Sequence, residues 1–483
     1  MYRIDEMTSN LKLDLSLVLG EEILYTISVN ITTINKLILE NRKILLLGSG
    51  FVAGPAVEYI LRRPENKLTI ACRRITNAQS LCQKFSRATP VSLDVTDEKA
   101  LGEIVSSHDL IISLIPYEYH PLVIKSAIKH KKHVVTTSYV SPAMREFDAE
   151  AKKNGIIVMN EIGLDPGIDH LYAVKTINEV HEILSFISYC GGLPAPEASN
   201  NPLGYKFSWF ARGVLLALRS AAKYYQDGKV VEIPGNKLME SAKPYLIYPA
   251  FAFLCYPNRD STPFREFYKI PEAKTILRGT LRYQGFTNFS KVLLDIGMFD
   301  DSEKDYLLPS SPDIAWRDVL AKVLCVSSNS EHDIRDKIKS KVKDLSNEEV
   351  ERILSGFKWL GLFSDANVDR KSNLLDTLCA TLEAKLKYAE GERDMVILQH
   401  KFEIEWKDGK KETRTSTLLE YGKPCGPSAM ATTVGLPCGI ATQLILDGII
   451  KKPGVLAPYT PEINNPIIEA LEKEGIKVIE ETL

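Results

Sequence analysis

The chain is short of the features that would tie it to a metal, a membrane or the exterior of a cell. Its 483 residues hold eight cysteines, at 72, 82, 190, 255, 325, 379, 425 and 438. None of them form C-x-x-C, and none stand at metal-ligand spacing from a histidine. Free thiols in a reducing compartment are therefore expected, with no metal and a cytoplasmic location. The longest apolar stretches, such as 245–257, are too short and too broken by proline to span a bilayer. Net charge is only −2, so no global basic field draws the chain to nucleic acid. There is no internal repeat and no low-complexity segment. Residues 1–42 lack a small-residue cleavage site, and their acidic residues Asp5, Glu6, Asp14, Glu21 and Glu22 argue against a transit peptide. They are read as an N-terminal extension of unknown role.

What is present is a fingerprint. Lys43 to Gly54 reads KILLLGSGFVAG. Ile44 to Leu47 is a short, fully apolar run, as a buried parallel strand requires. Gly48-Ser49-Gly50-Phe51-Val52-Ala53 fits G-x-G-x-x-A, and residues from Pro55 to Arg63 read as a helix. Gly48 allows a tight turn, Gly50 lets backbone approach a pyrophosphate, and Ala53 lets helix and strand pack closely. The helix N-terminus then offers N–H groups to the phosphates. The second strand, KLTIAC, ends in Cys72-Arg73-Arg74. The carboxylate that would hold a ribose 2′-hydroxyl is missing, and two guanidinium groups stand in its place. That favours a 2′-phosphate, and hence NADP(H).

Further strands are expected over 91–94, 109–115, 133–137 and 155–161, with helices over 96–106 and 120–130 between them. Alternation over about 120 residues makes a doubly wound α/β domain. Ligands sit outside the carboxyl ends of such strands, which puts Ser138, Tyr139 and Asp165 at one rim. Beyond His170 the pattern changes. A helix is expected over 171–181, a strand over 184–189, a partly helical stretch over 209–225 and extended segments over 230–235 and 245–256. Residues 255–283 carry four arginines, at 259, 265, 278 and 282. Residues 306–388 read as mostly helical. Two strands over 395–406 and 410–420 flank the hairpin signal Lys407-Asp408-Gly409. A small-residue helix follows over 428–446, then a tail with a helix and a short strand over 477–480.

Several long words, among them LLLGSGFVAGP, SLIPYEYHPLVIKSAI, VMNEIGLDPGIDHLYAVKTI, YCGGLPAPEASNNPLGYKFSW and RGTLRYQGF, make the chain from Lys43 onward resemble the NADP-dependent, glutamate-forming saccharopine dehydrogenases of fungal lysine biosynthesis. The resemblance implies a Rossmann domain over 43–165, with helix 428–446 packing back onto it. It implies a mixed-sheet α+β substrate and dimerisation domain over 166–305 and 390–483, and an all-helical insertion over 306–389. It implies that Gly48, Ser49, Gly50, Phe51 and Val52 hold the pyrophosphate, and that Cys72, Arg73 and Arg74 hold the ribose phosphate. Asp94, Val95, Leu114 and Ile115 would flank adenine and ribose. Thr137, Ser138, Leu164, Asp165 and Pro166 would reach the nicotinamide and substrate, and Trp209, Arg259, Thr280, Leu281 and Arg282 would bind saccharopine.

The implied reaction joins glutamate to aminoadipate semialdehyde through an imine. Both reactants are acidic, and the planar guanidinium forks of Arg259 and Arg282 suit their carboxylates. Tyr139, Asp165 and Cys190 are the candidates for moving a proton, and the sequence does not choose among them. Two other readings stay open: an NADPH imine reductase for another amine, as in carboxynorspermidine formation, and a non-catalytic NADPH-binding module.

Overall fold

The computed structural model describes residues 41–483; the extension expected over 1–42 lies outside them except for its last two residues. The first sheet has seven strands, all parallel, in the order β15-β6-β5-β4-β1-β2-β3. Its strands are β1 (Arg42–Leu47), β2 (Asn66–Cys72), β3 (Ala88–Ser92), β4 (Leu110–Ser113), β5 (His133–Thr136), β6 (Ile157–Met159) and, far along the chain, β15 (Gly454–Leu456). Helices α1 (Ala53–Leu61), α2 (Ile75–Cys82), α3 (Glu98–Ser106), α4 (His120–Lys129), α5 (Pro142–Arg145) and α6 (Asp148–Asn154) alternate with them. Ile44 and Leu46 join one core, Leu45 and Leu47 another, so β1 is buried on both faces.

The second sheet is mixed, with nine strands. β7 (Glu182–Pro194) lies parallel to β12 (Thr275–Tyr283) and antiparallel to β13 (Asp394–Glu405), which pairs with β14 (Lys411–Tyr421). β11 (Phe253–Pro257), β10 (Lys243–Tyr245) and the hairpin of β8 (Ala222–Gln226) with β9 (Lys229–Ile233) extend one side, and β16 (Ile479–Thr482) the other. α7 (Ile168–Glu179) leads into this sheet, and α8 (Ala211–Ala217), α9 (Phe264–Phe267) and α10 (Phe286–Asp295) cover it. The helical insertion is α11 (Trp316–Leu324), α12 (Glu331–Lys341), α13 (Asn347–Leu360) and α14 (Leu374–Lys385). Its Leu354 and Phe357 belong to the same core as Leu193 and Phe289 of the sheet lobe. α15 (Ala429–Leu446) and α16 (Pro461–Lys473) return to the first lobe.

Four expectations need correcting. Residues 454–456, assigned to the substrate lobe, form the edge strand β15, parallel to β6. The third strand runs over 88–92 rather than 91–94, because the sheet edge tolerates Pro90, which reads as a turn residue. β7 continues through Gly191 and Gly192 instead of stopping before them. A Cβ at Gly192 would lie 2.3 Å from the Met430 side chain, so glycine here serves a close approach within the strand. Of the segment expected to be extended over 245–256, only Tyr245, at the end of β10, and 253–256, in β11, are strand. Among the described residues α15 is long and apolar enough to cross a bilayer, but 78% of it is buried as a core helix.

Candidate active site

The fingerprint turn sits where the sequence put it. Gly48 has φ +105°, and a Cβ there would lie 2.6 Å from the Leu114 carbonyl oxygen, so only glycine fits. Its N–H donates to Ala71 O, and Leu114 N–H donates to Leu47 O, which pins the turn between β2 and β4. A Cβ on Gly50 would meet nothing within 4 Å. Among the described residues no side chain caps α1, so its N-terminal end is open to an outside acceptor. Phe51 stands 75% exposed above it.

At the end of β2, Ser49 Oγ donates to Cys72 Sγ at 3.2 Å, and Cys72 Sγ donates to Arg74 O at 3.0 Å. Arg73 and Arg74 are exposed, and neither guanidinium makes a hydrogen bond or ion pair among the described residues. At the end of β3, Asp94 accepts from Thr96 N–H and Oγ, which holds its carboxyl below the usual range; the Arg73 charge adds to this. Val95, Leu114, Ile115 and Thr137 are half-buried along the same rim. The space, the uncapped helix and the two unpaired guanidinium groups fit a dinucleotide bearing an extra phosphate.

His120, which the sequence reading passed over, organises the next stretch. Its Nδ1 is 2.9 Å from Ser113 Oγ, and its Nε2 is 2.9 Å from Ser138 Oγ and 3.1 Å from Thr136 Oγ1. Burial pushes it down to about 4, so the ring is neutral near pH 7. The available signal was the three hydroxyl residues at the ends of two apolar strands, which need a polar partner once buried.

The 163–167 turn brings Asp165 in beside Tyr139. Gly163 N–H donates to Pro166 O, and a Cβ on Gly167 would lie 2.0 Å from Gly163 O. Leu164 is buried beneath the turn. Tyr139 Oη donates to Asp165 Oδ1 at 2.7 Å. Arg278 Nη2 donates to both of these groups, and to Asp169 Oδ2 at 2.9 Å. The guanidinium lies 4.4 Å from the Phe264 ring centroid and 5.2 Å from that of Tyr139. Burial pushes the Tyr139 hydroxyl well up, against the pull of the Arg278 charge. Burial also raises Asp165; Arg278 opposes that rise and Asp169 adds to it. Behind them Glu161 accepts from Tyr459 Oη at 2.6 Å and lies 2.9 Å from His170 Nε2.

Arg278, Thr280 and Arg282 share one face of β12 by strand period, and Leu281 faces the other way, against Gly191. The Arg282 guanidinium is 5.0 Å from the Tyr205 ring and 5.3 Å from Phe286, and its buried Nε has no partner among the described residues. Cys190, on β7, pairs with Thr280 across the strands. Burial pushes its thiol well up; Asp165 and Asp169 add to this, while Arg278 and Arg282 oppose it. Such a thiol stays protonated and is no nucleophile near pH 7. Trp209 and Phe51 line one cleft of about 450 Å³, which spans both lobes. Arg259 stands apart. Its backbone is left-handed, φ +54°, and its exposed side chain makes no hydrogen bond or ion pair among the described residues. Arg278 is the arginine in contact with Tyr139 and Asp165.

Comparison with known proteins adds to this geometry. The family profile described as "Saccharopine dehydrogenase NADP binding domain" matches residues 44–159, and "Saccharopine dehydrogenase C-terminal domain" matches residues 163–476. The saccharopine dehydrogenase [NADP(+), L-glutamate-forming] of Schizosaccharomyces pombe is 59% identical over 444 residues, covering 91% of this chain and 99% of that protein. The protein of the same name from Saccharomyces cerevisiae is 57% identical over 447 residues, with coverage of 92% and 99%. The solved structure of apo histidine-tagged saccharopine dehydrogenase (L-Glu forming) from Saccharomyces cerevisiae superposes with a TM-score of 0.84 at 57% identity, over 92% of this chain and all of that one.

Proposed function

The chain belongs to the saccharopine dehydrogenase family, and we propose that it catalyses the reversible, NADPH-dependent condensation of L-2-aminoadipate 6-semialdehyde with L-glutamate to saccharopine. The observation that carries this reading is the meeting, at one rim, of a phosphate-binding turn with free arginines and a buried arginine face bearing Tyr139 and Asp165. Glutamate's amine adds to the aldehyde, the carbinolamine loses water, and a protonated imine results. NADPH, when bound, supplies the hydride that reduces its carbon. Gly48, Ser49, Gly50, Phe51 and Val52 hold the pyrophosphate, and Arg73 and Arg74, beside Cys72, hold the 2′-phosphate. Asp94, Val95, Leu114 and Ile115 flank the adenosine, and Thr137, Leu164 and Pro166 shape the nicotinamide end.

Arg282 binds a substrate carboxylate with its unspent donors, and Trp209 and Thr280 line the alkyl chain. Arg259, free at the rim, is available to a second carboxylate. Ser138, Tyr139 and Asp165 contact the reacting atoms and align them, which supplies much of the rate. Tyr139, in contact with the Asp165 carboxylate, is placed to give a proton to the departing hydroxyl of the carbinolamine. The enzyme works in the cytoplasm as a homodimer joined through the second lobe; eight free cysteines support a reducing compartment.

Purified protein given saccharopine and NADP⁺ is expected to build the NADPH absorbance band. The Arg73→Ser, Arg74→Ser double variant should lose roughly tenfold or more in kcat/KM with NADP⁺ and little with NAD⁺. Arg282→Ala should raise KM for saccharopine. No absorbance change with the wild type, at any cofactor, refutes the assignment.

A further inference from the structure

The Arg278 group carries an uneven charge count. One guanidinium faces two carboxylates, Asp165 and Asp169, and all three meet at the single nitrogen Nη2. Arg278 Nε is buried without a partner, and Nη1 makes no hydrogen bond among the described residues. The other charged or titratable groups do not restore the balance. Asp165 is faced by Tyr139 after β5, Asp169 and His170 on α7, Cys190 on β7, Tyr268 after α9, Arg278 on β12 and His400 on β13. Tyr459 also faces Arg278. The tyrosines and Cys190 are neutral, their protons held on by burial. His400 is pushed down to about 3 and is neutral too, with neither ring nitrogen partnered among the described residues. His170 lies 2.9 Å from Glu161 through Nε2 and 3.5 Å from Asp169 through Nδ1; with both included, the three carboxylates Asp165, Asp169 and Glu161 still outnumber Arg278 and His170 by one.

We propose that Arg278 is a positioning residue that keeps Asp165 ionised against the Tyr139 hydroxyl, and that the one negative charge left in the Asp165–Asp169–Arg278 group stabilises the cationic iminium. This rests on the imine chemistry proposed above. When hydride adds to the iminium carbon, the C=N π pair becomes the nitrogen lone pair and the positive charge disappears. The reverse reaction creates that charge. A fixed, dry negative charge beside the nitrogen lowers the barrier to creating it, because the low-dielectric surroundings leave the attraction unscreened. A neutral Asp165 supplies no such charge. Burial and Asp169 favour that neutral form, and the Arg278 guanidinium opposes it. A carboxylate beside a guanidinium has its pKa lowered by about 1–3 units.

The test is the pH profile of kcat/KM for saccharopine oxidation in the wild type, Arg278→Gln, Arg278→Lys and Asp169→Asn. The substrate's own amine titrates identically in all four, so differences belong to the protein. The acid limb should move up by about 1 unit or more in Arg278→Gln, return in Arg278→Lys, and move down in Asp169→Asn, where the like charge is gone. Difference infrared spectra should show the protonated-carboxyl band at higher pH in Arg278→Gln than in the wild type. Equal acid limbs in Asp169→Asn and the wild type overturn the inference, and that arm stands even if Arg278→Gln fails to fold. A uniform loss of rate with unchanged profiles and spectra means a merely structural arginine and also overturns it. A wild type that leaves NADP⁺ unreduced overturns the functional reading, and this inference with it; an active wild type with superimposed profiles overturns this inference alone.

Discussion

A buried histidine ties the stability of the protein to pH. His120 is about 1% exposed and held near 4, against 6.5 when the chain unfolds. Between those values the unfolded chain binds a proton that the folded one refuses, so stability falls as pH drops through this window and is complete above 6.5. At about 1.4 kcal/mol per unit, the loss reaches about 2 kcal/mol by pH 5. Urea unfolding at pH 7.5 and pH 5 should show that much less acid sensitivity in His120→Gln than in the wild type; equal sensitivity would remove His120 as a cause. At this scale the turn was legible in the sequence and the rest of the site only partly so. Gly48 obeys a local steric rule that a sequence states outright. Arg278 and Arg259 look alike in the same arginine-rich stretch. What separates them is strand phase: Arg278 points with Arg282 into a buried face, and Arg259 falls in a left-handed loop residue outside β11. His120 was hidden because its three partners come from β4 and from the end of β5.

Among the elements, α15 is the one that touches most of what matters. Asp394 of β13 accepts the N–H groups of Ala429 and Met430, so the second sheet caps this helix, together with Ser428. Gly435 and Gly439, four residues apart, lay one face of α15 directly on α1. A Cβ at Gly435 would stand 2.4 Å from the Val52 carbonyl oxygen, in the fingerprint turn; at Gly439 the closest approach is 3.2 Å, to Ala56 O and Tyr59 Cβ. Either Gly→Ala change gains about 1 kcal/mol of helix propensity. Overpacking costs about 1–3 kcal/mol, and it falls on Gly435, where the approach to backbone is 2.4 Å against 3.2 Å at Gly439. Gly435→Ala should therefore lower Tm and weaken NADPH binding severalfold, and Gly439→Ala should do little of either. Calorimetry with a fluorescence titration of NADPH checks both, and the reverse order would contradict the packing. Helix α15 was readable from Ser428 onward because its cap and its apolar run are local. Strand β15 was not, since three residues that pair only with β6 carry no periodic signal of their own.

For the molecule as a whole, the two lobes share buried side chains. Val396 and Leu398 of β13 and Leu418 of β14 lie in one core with Ile44 and Leu46 of β1. Unfolding should therefore be a single cooperative step. All four tryptophans, at 209, 316, 359 and 406, lie outside the nucleotide-binding sheet. NADPH at about a hundredfold over its Kd adds about 2.7 kcal/mol to whatever unfolds with its site. The tryptophan-detected melt should then rise together with the calorimetric one; a tryptophan transition that ignores the cofactor would show two independent units. The alternation of strand and helix over the first third announced the doubly wound sheet, and the closing of that sheet by distant chain was invisible because it depends on pairing across nearly three hundred residues. That closure has a further consequence for how the protein is made. A ribosome delivers β1 and its glycine turn early, yet α15, which covers α1, and β15, which finishes the edge, emerge only after residue 429. Until then the nascent first lobe carries a bare apolar flank, and it must wait, shielded by some other surface, for the end of its own message.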